Sequence, residues 1–95
     1  VQTVALPISA QARTQMSSWA LRKHNPTYAL QLAQEAAGMD PDGLAAQTAR
    51  GDTLAANGRR DEAHQAWQRA LDIAHRLEPA TQTLFVPRLE AKLRK

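Results

Sequence analysis

Gly51-Asp52-Thr53-Leu54-Ala55-Ala56-Asn57-Gly58-Arg59-Arg60-Asp61-Glu62-Ala63-His64-Gln65-Ala66-Trp67-Gln68-Arg69-Ala70-Leu71-Asp72-Ile73 is the stretch that decides the fold. Its hinge is Asn57-Gly58, two residues that tolerate the left-handed conformation with which helices end. Asp61 and Glu62 follow, acids placed where the positive end of a new helix favours them. Beyond them Ala63, Ala66, Trp67, Ala70, Leu71, Ile73, Ala74 and Leu77 recur at helical spacing as one apolar face. Two helices joined by so short a turn fold back on each other, and the hairpin leaves an apolar face that only a neighbour covers.

Working outward, sliding the chain by 34 residues finds that neighbour. Ala12 falls on Ala46, Thr14 on Thr48, Ala29 on Ala63, Gln31 on Gln65, Gln34 on Gln68 and Ala36 on Ala70. Ser17 meets Gly51, Ala20 meets Leu54 and Met39 meets Ile73 as similar residues. The units run over 10–43 and 44–77 without a gap, inside a repeat region of 9–79. The caps agree with this division. Ser9 caps a first helix reaching about Lys23, and Asn25-Pro26 supplies a cap followed by proline in the first turn. Asp40-Pro41 repeats that device and is expected to open a third helix running to about Ala56. The fourth helix is expected to continue through Ala74, His75, Arg76 and Leu77 to Glu78-Pro79. Residues 1–8 read as an extended lead-in. Residues 80–95 read as a capping helix that begins before Pro87 and lays Leu84, Phe85, Leu89 and Leu93 against the fourth helix. Trp19, Trp67, Tyr28 and Phe85 are expected in the core.

Composition points the same way. Alanine and leucine dominate, aromatics are only 4%, and β-branched residues are few, so about five close-packed helices, all-α, are expected rather than a sheet. Cysteine is absent, which removes disulfides and thiolate metal sites. A net charge of +3 and a pI near 10 invite a nucleic-acid role. The basic residues are scattered and interleaved with acids, which speaks against one. No apolar run approaches the roughly 20 residues that span a bilayer. The chain begins without Met and is expected to be a soluble domain cut from a longer protein, cytoplasmic or periplasmic, with any membrane segments lying outside these residues.

The second unit, with Gly51, Leu54, the Gly58-to-Ala63 turn, Trp67, Ala70, Leu71 and Ile73, resembles the tetratricopeptide repeat family. The first keeps Ser17, Ala29, Ala36 and the closing Asp40-Pro41. The resemblance implies antiparallel helix hairpins wound into a right-handed superhelix, with a concave face lined by the first helix of each repeat. In this chain that face would carry Thr14, Ser18, Leu21 and Arg22, then Thr48, Asp52 and Ala55. Co-chaperone members of the family place Lys, Arg and Asn at such positions to clamp a terminal carboxylate; Thr, Ser and Ala here do not. The function implied is a protein-protein interaction or scaffolding module, with a protein or peptide partner, self-association through exposed repeat ends as a further option, and no catalysis or cofactor of its own. A second resemblance covers Ala63 to Leu93: Trp67-x-x-Ala70-Leu71, Pro79, Gln82, Pro87 and Leu93 look like tails that follow multi-spanning bacterial glycosyltransferases. It implies an accessory domain whose enzyme lies upstream.

No phosphate loop, nucleophile elbow or His-Glu-x-x-His motif occurs. His24, His64 and His75 lack the spacing of a metal site. Asp40-Pro41-Asp42-Gly43 begins like a calcium loop, but Gly51 stands where the last carboxylate belongs, so a capping role is expected.

Overall fold

A computed structural model describes residues 9–94, so the expected lead-in at 1–8 lies outside the described residues. Five helices follow in order: α1 (Ala10–Arg22), α2 (Pro26–Met39), α3 (Leu44–Ala56), α4 (Arg60–Ala74) and α5 (Pro79–Leu93). No strand occurs among the described residues. The protein is all-α.

Local chemistry explains most of the boundaries. Ser9 Oγ accepts the Ala12 N–H at 3.1 Å and starts α1. Asn25 Oδ1 accepts from Tyr28 at 3.3 Å, with Pro26 in the first helical position of α2. Helices α1 and α3 end in the same way. Asn25 N–H reaches Ala20 O and His24 N–H reaches Leu21 O; Arg59 N–H reaches Leu54 O and Gly58 N–H reaches Ala55 O. These are two Schellman turns, each with its pivot in the left-handed region: His24 at φ 59° and Gly58 at φ 76°. The pivots are 34 residues apart.

Burial follows the same register. Ser17 and Gly51, Ala20 and Leu54, Ala29 and Ala63, and Ala36 and Ala70 are all buried. Ala29, Ala36, Ala63 and Ala70 have no exposed surface at all, so their helices meet with only a methyl group between backbones. Met39 and Ile73 break the pattern, at 50% and 7% exposure. The α1–α2 hairpin packs on α3 through both its helices, α3 pairs with α4, and α5 lies on α4. The main core gathers Leu30, Leu54, Trp67 and Leu89 around Ala63, Ala66, Ala70 and Ala74. Each fully buried leucine there contributes about 1.5–3 kcal/mol. The stack measures 51 × 31 × 19 Å, and its radius of gyration of 13.9 Å exceeds the about 12 Å of a globular chain this long. No helix of the described residues is long and apolar enough to cross a membrane.

Four expectations need correction. Asp40-Pro41 does not open α3: Asp40 N–H closes the last turn of α2 on Ala36 O, Gly43 N–H then bonds Asp40 O, and α3 starts at Leu44. α4 ends at Ala74 rather than running to Glu78. Arg76 and Leu77 turn tightly onto Ile73 O and Ala74 O, and the Gln82 amide takes the carbonyls of His75 and Leu77. Leu77 is consequently exposed. Two aromatics expected inside are exposed: Trp19 at 52%, because Ser17 and Ala20 form the buried edge of α1 and Trp19 points 100° away from Ala20, and Tyr28 at 38%, one position before the buried Ala29 of α2. Leu84 is exposed as well, whereas Leu89, Val86 and Leu93 pack on the core. α5 does begin before Pro87, which sits inside it.

Candidate functional site

The 34-residue register lines up the groove. Thr14 and Ser18 on α1 and Thr48 and Asp52 on α3, two register-equivalent pairs, line one shallow groove of about 190 Å³ together with Ala45, Ala49 and Phe85 of α5. Thr14 and Ala45 also border an adjoining cavity of about 380 Å³ reaching toward Ala10, Asp40 and Leu44. The two share Thr14 and Ala45 and together make a trough along the α1–α3 seam, with Phe85 lining the smaller cavity.

Arg22 is not part of it. It lies exposed in the last turn of α1, and Leu21 is half-buried outside the trough. Ala55 borders a separate cavity of about 290 Å³ with Gly58, Arg60, His64 and Trp67. Sequence reasoning missed Phe85, which it placed in the core, and Asp40 at the far end.

The hydroxyls are already committed. Thr14 Oγ1 donates to Ala10 O at 2.9 Å, Ser18 Oγ to Thr14 O at 3.3 Å, and Thr48 Oγ1 to Leu44 O at 2.8 Å. Each bonds back to its own helix four residues earlier, so outwardly these groups only accept. No nucleophile here is paired with a base.

Asp52 is engaged from two sides. Its Oδ1 accepts the Trp67 indole N–H at 3.0 Å and the Lys92 ammonium at 2.5 Å. The Lys92 nitrogen also stands 5.8 Å from the centre of the Trp67 ring. The Asp52 and Lys92 side chains are about one-third exposed, at 32% and 30%, so solvent screens much of their attraction. Gly51 completes the arrangement: a Cβ there would fall 2.3 Å from Trp67 Cδ1. Gly51 therefore seats the indole and Asp52 pins its nitrogen, while Lys92 ties α5 to α3. No local signal announces this, since Lys92 and Asp52 are 40 residues apart.

Away from the trough, Glu35 and Glu62 are the acids whose chemistry is shifted. A hydrogen bond from Arg13, then one from Gln31, holds the Glu35 carboxyl below its ordinary 4.5, and Arg59 does the same for Glu62. Both are surface pairs. His64 leaves Nε2 buried without a partner beside Trp67, ring centres 5.8 Å apart. No three His, Asp or Glu side chains converge as a metal site among the described residues. Asp40 to Gly43 form the α2–α3 turn.

Comparison with family models, with curated proteins and with solved structures finds no match to this chain.

Proposed function

We propose that this chain is a tetratricopeptide-like interaction module that holds a peptide segment of a partner protein in the trough between α1 and α3, with no catalysis of its own. One observation carries the reading: Thr14 and Ser18, and their register equivalents Thr48 and Asp52, come from two different hairpins yet line a single groove. A repeated element that presents the same positions along one seam forms an extended surface suited to an extended ligand. The recurring Schellman turns and the shared burial at Ala29 and Ala63, and at Ala36 and Ala70, support the repeat reading. Hydroxyls that donate to their own helices support recognition over chemistry.

The test is a selection from a random peptide library on the immobilised chain, followed by titration of the winners with backbone amide shifts as the readout. Shifts are expected at Thr14, Thr48, Ala49 and Phe85, and Ser18→Arg, at an exposed position of the same groove, should abolish them while leaving the melting temperature within a degree or so of the parent, as a surface change does. A selection without winners, or shifts confined to the opposite face at Gln34 and Gln47, would overturn the proposal.

A further inference from the structure

We infer that the trough selects a basic peptide segment, with two Lys or Arg side chains about four residues apart, and that Lys92 occupies one of the two cation positions from within the chain. This rests on the docking proposed above and names its chemistry. The trough holds two carboxylates and no cationic side chain, and the Gln11 and Gln15 amides on its α1 wall are its neutral donors. Asp40 borders the end near Ala10 and makes no ion pair among the described residues; Asp52 lines the other end. Between them lie Ala45, Ala49 and the hydroxyls of Thr14 and Thr48, whose protons are spent on Ala10 O and Leu44 O. Such a surface accepts hydrogen bonds and presents negative charge at its ends. An acidic segment or a terminal carboxylate would meet like charge at both ends and only the neutral amides of Gln11 and Gln15 to offset it.

Lys92 shows what Asp52 takes. Its ammonium reaches across from α5 to Asp52 Oδ1 and lies near the Trp67 ring. Both partners keep about a third of their surface, so a competing cation reaches the carboxylate without unfolding α5. The spacing follows from α3 itself. Eight residues separate Leu44, beside Asp40, from Asp52, about 12 Å of helix. Four residues of extended chain cover about 13 Å. A partner strand with basic side chains at i and i+4 and small apolar residues between them matches the trough from end to end.

The test uses three end-blocked fluorescent peptides on the full chain at low ionic strength: Lys-Ala-Leu-Ala-Lys, its twin with both lysines replaced by norleucine, and its twin with both replaced by glutamate. Anisotropy gives affinities and backbone amide shifts give the site. The lysine peptide is expected to bind about three-fold tighter than the norleucine twin, from the partly exposed Asp40 pair, because Lys92 holds Asp52 in the parent. Asp40→Asn should weaken it about three-fold, and Lys92→Met, which keeps the apolar stem on Trp67 but vacates Asp52, should strengthen it about three-fold. Neither change should move the norleucine twin. Asp40 is exposed and outside any helix, so its variant tests the claim even where Lys92→Met alters stability. Equal affinity for the lysine and norleucine peptides, with shifts still at Thr14 and Thr48, overturns the basic-segment inference and leaves the groove standing. Lysine-peptide binding indifferent to Asp40→Asn and Lys92→Met also overturns it. Peptides that move no trough amide overturn the groove together with it.

Discussion

At the scale of single residues, the molecule turns on a few positions where no other side chain serves equally well. Gly51 lets the Trp67 indole lie against α3, and the added methyl of Gly51→Ala would sit 2.3 Å from its Cδ1. Trp67 is almost fully buried and cannot give way cheaply, so Gly51→Ala should cost about 1–3 kcal/mol in urea unfolding. The two Schellman pivots form an internal control. Gly58 meets its positive φ without strain, while His24 holds φ 59° with a side chain. Gly58→Ala should therefore destabilise by about 1 kcal/mol and His24→Gly should stabilise by some fraction of that, since the left-handed region costs a side chain about 1–2 kcal/mol and glycine loses about 0.5–1 kcal/mol in chain entropy. Glu35 gives a pH signature. Its folded pKa lies below 4.5, so the Arg13 pair stabilises fully above that value and is lost as the pH falls through the lower folded one. The melting temperatures of the parent and of Glu35→Gln should differ near neutrality and converge in acid; a constant gap would show that the pair contributes nothing pH-dependent.

At the scale of helices and turns, what is legible in sequence is what short-range chemistry decides. Ser9, Asn25 and Asn57-Gly58 act within a few residues of where they stand, and the structure uses them at those places. Alanine spacing shows which faces touch, and Ala29 and Ala63 are closed on every side. Ala29→Leu or Ala63→Leu should overpack its hairpin and cost about 1–3 kcal/mol, read as a lowered unfolding midpoint; unchanged midpoints would mean the helices stand further apart than described here. The misread boundaries are set by side-chain donors on the helices that follow. The Asp40–Gly43 turn is held by Gln47 Nε2 and Arg69 Nε, both donating to Pro41 O, and the turn after α4 is held by Gln82 Nε2, which donates to the His75 and Leu77 carbonyls. Gln47 and Gln82 stand only five to seven residues beyond the carbonyls they take, but a glutamine on a helix carries no signal for which carbonyl it will reach, and Arg69 is 28 residues away. The groove divides in the same way. Thr14, Ser18, Thr48 and Asp52 follow from the 34-residue register, whereas Phe85 and Lys92 reach it only through the packing of α5 on α4.

For the whole molecule, the order of contacts matters more than their sum. α1 and α2 touch α3, α3 touches α4, and α5 is held chiefly by α4, so a disturbance at one end has to pass through each layer in turn. α5 is the weakest layer. Only Leu89 is fully buried in it, and Pro87 in its interior removes one helix hydrogen bond. Leu89→Ala should therefore cost about 2–4 kcal/mol, while Leu84→Ala, on the exposed side of the same helix, should stay within about 0.5 kcal/mol. Where that loss falls distinguishes a layered stack from a single cooperative unit. In native-state hydrogen exchange, Leu89→Ala should strip protection from α5 and weaken α4 around Trp67, which loses both Leu89 packing and the Lys92 tie to Asp52. The amides of α1 and α2, two layers away, should keep most of their protection. Equal loss in α1 would mean that the five helices open together and that α5 does not act as a separable cap.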